Sequence, residues 1–290
     1  MKKKILILSV ILCVGIAAIA VALTNKGNKK EEQKKPNVTV EEYTNLVSDE
    51  DKDEVKKLMV EANLSNTDTF IGWVSDFNAT MKEDVGLVSK WTPLNEQQYK
   101  VEEIAEAWDA THEEMGDSNG RLASYLLMQN RITAKEHVDY GNNIMMDMDQ
   151  LEGESMYEAI KDDLYKFSAV FDEVDVKNIK TQEEFEQAVL NEWKKRGVSF
   201  AKDQVSLISV VTEDPYEQIA FIQNSGVVIK EDGYVLFIEK MAATEPYQVL
   251  KFTSVEDLAK YLATERVFKE DEQNFAPIVL ENDTVVKVKK

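Results

Sequence analysis

Gly226-Val227-Val228-Ile229-Lys230-Glu231-Asp232-Gly233-Tyr234-Val235-Leu236-Phe237-Ile238-Glu239-Lys240 decides the fold class of this chain. Two apolar, β-branched runs flank an Asp-Gly step, which is a strong short-range signal for a tight turn between antiparallel strands. The stretch therefore reads as a hairpin, and strand signals continue on both sides of it. Upstream, Val205 to Val211 and Ile219 to Ile222 are apolar strands separated by Asp214-Pro215. Downstream, Val249 to Phe252 is a further strand. Ser254 with Asp257 starts a short helix through Leu262, and Ile278–Leu280 with Thr284–Val288 flank a turn at Glu281-Asn282-Asp283.

Before Gly197 the hydrophobic period is that of a helix. Ser48 with Asp51 marks one start, followed by Val55, Leu58, Met59 and Ala62. Thr67 is expected to cap the next helix, with Phe70, Trp73, Val74, Phe77 and Met81 as its stripe. A third runs from about Asn95 to Glu114, with Ile104 and Trp108 inward, and an apolar helix covers Leu122 to Met128. Thr133 with Glu136, Ser155 with Glu158, and Thr181 with Glu184 each match the S/T-x-x-E capping box. The last of these helices buries Phe185, Val189 and Trp193 and ends at Gly197, a residue suited to the left-handed conformation that closes many helices. Helices first and a mainly antiparallel sheet second make an α+β fold. The expected layout is residues 1–24 as leader, 25–40 as tether and 41–290 as one domain, helical over 45–197 and sheet-rich over 198–290.

The net charge is −20. A field of that sign repels phosphate backbones and no basic stripe offsets it, so nucleic acid is excluded as a partner. Lys2-Lys3-Lys4 precede an uncharged run from Ile5 to Leu23. That segment reads as a signal peptide or an uncleaved membrane anchor. Ala20 and Ala22 offer a cleavage site, and Cys13, the single cysteine, leaves a lipoprotein-like reading open. Asn25 to Asn37 is a solvated tether. The expected location is the extracellular face of the membrane, or secretion, with membrane contact through the N-terminal segment.

With no cysteine after the leader, a disulfide scaffold, a thiolate metal site and a thiol nucleophile are all excluded. His112, in Thr111-His112-Glu113-Glu114, lacks the second histidine of a zinc peptidase motif. His137 reads as a solvent or packing residue. Asp147, Asp149, Glu152 and Glu154 cluster without EF-hand spacing and read as a solvated acidic loop. No G-x-S-x-G elbow, P-loop or dinucleotide fingerprint is present. No metal site and no cofactor is expected.

Several segments together resemble the domain of unknown function 4300 family, uncharacterised secreted proteins of Gram-positive bacteria. They are Tyr43-Thr44-Asn45-Leu46, Asp117-x-Asn119-x-Arg121 with its Leu-rich helix, Gly226 through Lys240, Glu245-Pro246-Tyr247-Gln248, and Asp257-Leu258-x-x-Tyr261-Leu262. The resemblance implies a cysteine between the Asn and Arg of the second motif and a histidine two residues before the glycine that opens the hairpin. With a polar third residue, that set is similar to a papain-like nucleophile arrangement. In this chain those places hold Gly120 and Asn224, with Glu239 as the third. The resemblance thus implies a non-catalytic binding domain on a degenerate papain-like scaffold. Asn119, Arg121, Asn224, Glu239 and Tyr247 would line its cleft, and the planar fork of Arg121 would take a carboxylate. The expected partner is a peptide, a cell-wall fragment or an envelope protein. Two other readings stay open: a cell-envelope hydrolase using carboxylates, with Glu239 or the acidic cluster at its centre, and a structural envelope assembly protein.

Overall fold

The computed structural model describes residues 41–112, 118–135, 140–266 and 273–288. The leader, Cys13, the tether, Asp117 and His137 lie outside the described residues. Residues Thr39–Lys290 form one compact unit. Among the described residues, no helix is long and apolar enough to cross a membrane.

In chain order the elements are β1 (Glu42–Thr44), α1 (Asp49–Glu61), α2 (Thr67–Thr80), β2 (Thr92–Pro93), α3 (Val101–Asp109), α4 (Gly120–Met128) and β3 (Ile132–Thr133). Then come α5 (Met145–Gly153), α6 (Leu164–Phe171), β4 (Val174–Asp175), α7 (Gln182–Lys195), β5 (Ser199–Phe200), β6 (Val205–Asp214) and β7 (Ile219–Glu231). The chain continues with β8 (Tyr234–Lys240), β9 (Tyr247–Phe252), α8 (Val255–Tyr261), β10 (Ile278–Glu281) and β11 (Thr284–Val285). The expected α+β order is the observed one. One antiparallel sheet runs β11-β10-β6-β7-β8-β9-β1-β2, with β4 pairing β7 at its Ile219 end, and β3 and β5 form a separate ribbon.

The Gly226–Lys240 hairpin is β7–β8, with Glu231 opposite Tyr234 and Gly233 at φ +90°, a conformation glycine adopts without strain. Strand alternation gives each face of the sheet its own core. On the first face Val227, Ile229, Leu236 and Ile238 pack with Phe70, Phe77, Leu122 and Leu126 of the helical half. On the second face Val228, Phe237, Leu250 and Phe252 are covered by Leu258, Ala259 and Leu262 of α8 and the turn after it. Both faces are buried, which is why β7 and β8 read as continuous apolar runs.

The capping expectations divide. Ser48 and Ser254 cap α1 and α8 by accepting from the amides of Asp51 and Asp257, and Thr181 with Glu184 forms a complete capping box. Gly197 lies just past α7 at φ +69°. Three starts need correction. Thr133 begins no helix; with β-branched Ile132 it pairs in β3, and its hydroxyl meets Ser199 Oγ at 2.6 Å. Ser155 is the first residue of a 3₁₀ helix, Ser155–Asp163, and the preceding Glu154 holds the capping position without a side-chain cap. Thr67 is the first residue of α2 and its hydroxyl donates back to Leu64 O, while Asn66 takes the capping position in the left-handed region. The third helix is shorter than expected, and Ile219–Ile222 and Gly226–Lys230 are one strand broken by a bulge.

Candidate functional site

Helix α4 is buried along nearly its whole length and its N-terminus abuts β7 and β8. Asn119 is the cap: its Oδ1 accepts from Arg121 N at 2.9 Å and Leu122 N at 3.1 Å. The next residue must be small. A Cβ on Gly120 would sit 2.8 Å from Ser225 O and 3.0 Å from Lys240 O, both main-chain atoms of central strands. One turn later Ser124 Oγ meets Ser225 Oγ at 2.8 Å. Small residues on helix and strand therefore let α4 dock on the open flank of β7, between the stretches paired with β4 and β8.

That flank carries the bulge. Val210 pairs with Asn224 but Val211 pairs with Ile222, so Gln223 is the extra residue. A bulge locally disrupts the ladder and re-aims neighbouring side chains. Arg121 satisfies Ile222 O at 3.3 Å. The rest of its charge meets Asp147, whose Oδ2 lies 2.7 Å from Arg121 Nε without the alignment of a hydrogen bond. Asp147 Oδ1 accepts from Asn119 Nδ2 at 2.6 Å. Asp147 is thus buried as the bolt between α5 and the α4 N-terminus, while Asp149 and Glu152 of the same cluster are exposed.

Asn224, Glu239 and Gln248 lie on the other face of the sheet. Asn224 is opposite Val210, Glu239 shares the face of Val235 and Phe237, and Gln248 shares that of Leu250, all second-face residues. Asn224 Nδ2 donates to Glu239 Oε2 at 3.1 Å and Gln248 Nε2 to Glu239 Oε1 at 2.6 Å. Gln248 Oε1 accepts from Gln97 Nε2 at 2.8 Å and Tyr99 OH at 3.1 Å, and Asn45 Nδ2 reaches Tyr99 OH at 2.7 Å. A polar chain thus runs under the second face from buried Asn45 to half-buried Asn224. Glu239 is 1% exposed.

The structure therefore brings positions 120, 224 and 239 into one neighbourhood across the thickness of the sheet. Gly120 meets strand backbone from the first face, and the Asn224 and Glu239 side chains project from the second. Asn119 and Arg121 are engaged by Asp147, so Arg121 acts on this chain's own carboxylate. Tyr247 is 1% exposed and sits in the first-face core, edge-on to Phe70 and Phe77 at 5.6 and 5.7 Å, with the Lys240 ammonium over its ring. Lys240 also donates to Ala243 O and Glu245 O, tying down the β8–β9 loop. His112 stacks on Trp108 at 3.5 Å between ring centroids and meets Asp76.

Buried polar atoms without hydrogen-bond partners gather at the bulge. Ser209 Oγ, Thr212 Oγ1 and Asn224 Oδ1 all flank it, with the Arg121 Nε and Asp147 Oδ2 contact beside them. Folded proteins leave few such groups, and a local concentration calls for a water, an ion or a ligand group. Sequence reasoning missed Asp147 as a buried bolt, and Gln248, Gln97, Tyr99 and Asn45 as the chain behind Glu239. For Asp147 a signal existed: it stands four residues before Leu151, which is buried on the same helix face.

A family model described as "Domain of unknown function (DUF4300)" matches residues 42–286. The chain belongs to the DUF4300 family. No curated protein and no solved structure matches it. The DUF4300 match takes in all the strands and helices of the described fold, from β1 to β11, and both sides of the bulge.

Proposed function

We propose that this DUF4300 chain is a non-catalytic binding domain, presented outside the cell by its N-terminal segment, that recognises a peptide, wall fragment or envelope protein at the β6–β7 bulge. The observation that carries the reading is the half-buried Asn224. Its amide nitrogen is held by Glu239, and its carbonyl oxygen, itself buried, has no partner among the described residues, so a ligand donor reaches it only by displacing the side chains that cover it. A fixed acceptor whose orientation is set from behind can select a donor on a ligand. Gly120 offers no nucleophile at the α4 N-terminus, and its contacts with Ser225 and Lys240 leave no room for one without moving the strands. Against the carboxylate-hydrolase alternative, the Glu239 oxygens are occupied by Asn224 and Gln248.

The test is retention of the full chain on isolated cell-wall sacculi and on immobilised short peptides, comparing wild type with Asn224→Ala. The reading expects retention that falls at least fivefold in the variant while its thermal melt stays cooperative. Equal retention by a folded variant removes the bulge from recognition. Separately, protease added to intact cells should degrade the domain; full protection would contradict extracellular presentation.

A further inference from the structure

We infer that a second site lies at the turn end of the β6–β7 hairpin: a polar pocket around Glu213 that takes a neutral, hydroxyl-rich ligand, in chemical class a single saccharide unit. It is independent of the Asn224 reading, because it uses different residues on a different stretch of the hairpin. The cavity is about 420 Å³, within the range of small-molecule sites.

At its base Glu213 is 5% exposed. Its Oε2 accepts from Asn274 N at 2.8 Å and its Oε1 from Asn274 Nδ2 at 3.0 Å. A carboxylate accepts about four hydrogen bonds, so each oxygen keeps one unused position. No cation pairs with Glu213 among the described residues. A buried, geometrically fixed carboxylate with spare acceptor capacity at the foot of an open polar pocket is suited to a ligand that brings donors.

The walls decide which donors. Asn178 and Gln218 line the pocket, and Val176 N donates to Gln218 O at 3.0 Å, which pins the two segments together. Their carboxamides each offer donor and acceptor, the pattern that neighbouring hydroxyls complement. Lys180 also lines the pocket, and its positive charge disfavours a cationic ligand there and leaves a neutral one unaffected. Ile179 and Phe275 add a small apolar edge that a C–H group of a sugar ring could meet. Phe275 is fixed by stacking on Phe185 at 4.9 Å, and the following Ala276 is held through both its N and O by Gln182. That side of the pocket is therefore fixed, while the exposed Asn178 and Gln218 side chains are ordered on binding.

Saturation-transfer NMR on the full chain, in a zwitterionic detergent free of sugar, tests this with glucose, galactose, mannose and N-acetylglucosamine, and with methylammonium as the cationic probe. The expected result is saturation of at least one sugar. Glu213→Gln should abolish it. Asn178→Gly relieves a left-handed residue at φ +71° and so preserves the fold, yet should weaken that sugar about tenfold, the loss of one good hydrogen bond. Asn224→Ala should leave affinity within about twofold, the tolerance expected of a residue outside this pocket. The inference is overturned if no sugar is saturated at millimolar concentration, or if methylammonium displaces the sugar. It is equally overturned if affinity is unchanged in Asn178→Gly, or if Asn224→Ala removes the signal.

Discussion

Adding one methyl group at Gly120 tests whether α4 is held against strand backbone. In Gly120→Ala the new Cβ falls 2.8 Å from Ser225 O and 3.0 Å from Lys240 O. Neither atom is the end of a flexible side chain. Both belong to β7 and β8, which are paired on both flanks over most of their length, so relief requires α4 to back away from the sheet. That movement strains the Asn119 cap, the Arg121–Ile222 O bond and the Ser124–Ser225 contact together. Overpacking of this kind costs about 1–3 kcal/mol. Replacing glycine also narrows the unfolded ensemble, which returns about 0.4–1 kcal/mol. The net expectation is a loss of about 1–2 kcal/mol, or roughly 2–8 °C in Tm for a domain of this size. Gly72 is the control, since it lies on the exposed face of α2 and a Cβ there would meet nothing within 4 Å. There alanine should stabilise by about 0.5–1 kcal/mol. Urea unfolding of the two variants side by side reads the contrast through the midpoint at constant slope. A Gly120→Ala protein as stable as wild type would refute the close-approach reasoning, whatever Gly72→Ala does.

Asp147→Asn removes the carboxylate between Asn119 and Arg121 and should cost about 3 kcal/mol, the lower end for breaking a buried ion pair because Arg121 retains some solvent. Asp149→Asn, from the same acidic run but exposed, should leave the urea midpoint unchanged. Thr181→Ala deletes one half of the α7 capping box and should lower stability by about 1 kcal/mol in the same assay. The Arg131 guanidinium holds the Asp203 carboxyl below its ordinary range, so its folded pKa lies under its unfolded value. Its contribution is present above about pH 4, the unfolded value, and is lost as pH falls through the folded one. Asp203→Asn should therefore be less stable than wild type at neutral pH and show a shallower decline in acid. Parallel acid limbs would contradict that assignment.

The hairpin from Gly226 to Lys240 was legible because turn chemistry and apolar runs agreed over fifteen residues. The caps at Ser48, Thr181 and Ser254 were legible for the same reason: cap residue and following stripe pointed one way. Thr133 and Ser155 matched the same pattern by composition alone, since a chain with 54 acidic residues places a carboxylate three positions after a hydroxyl often. At Thr133 the β-branched pair and its partner strand outweighed the cap. The bulge was invisible because one extra residue splits a strand into two runs that read as separate elements. Asn224, Gly120 and Glu239 could be located as neighbours from their motifs, but the face each side chain takes depends on a register that only the paired strands fix. Gln248, Gln97, Tyr99 and Asn45 leave no local signature, because their roles consist of hydrogen bonds between segments far apart in sequence.

The central claim is recognition without turnover at the bulge, and one measurement meets it directly. Full chain is incubated with isolated sacculi and with a defined peptide mixture; the bound fraction and every released product are then followed by mass spectrometry, for wild type and Asn224→Ala. The account predicts bound protein, an unchanged product profile relative to protein-free controls, and weaker retention of the folded variant. New cleavage products that require the wild-type chain, or retention indifferent to Asn224, would contradict it.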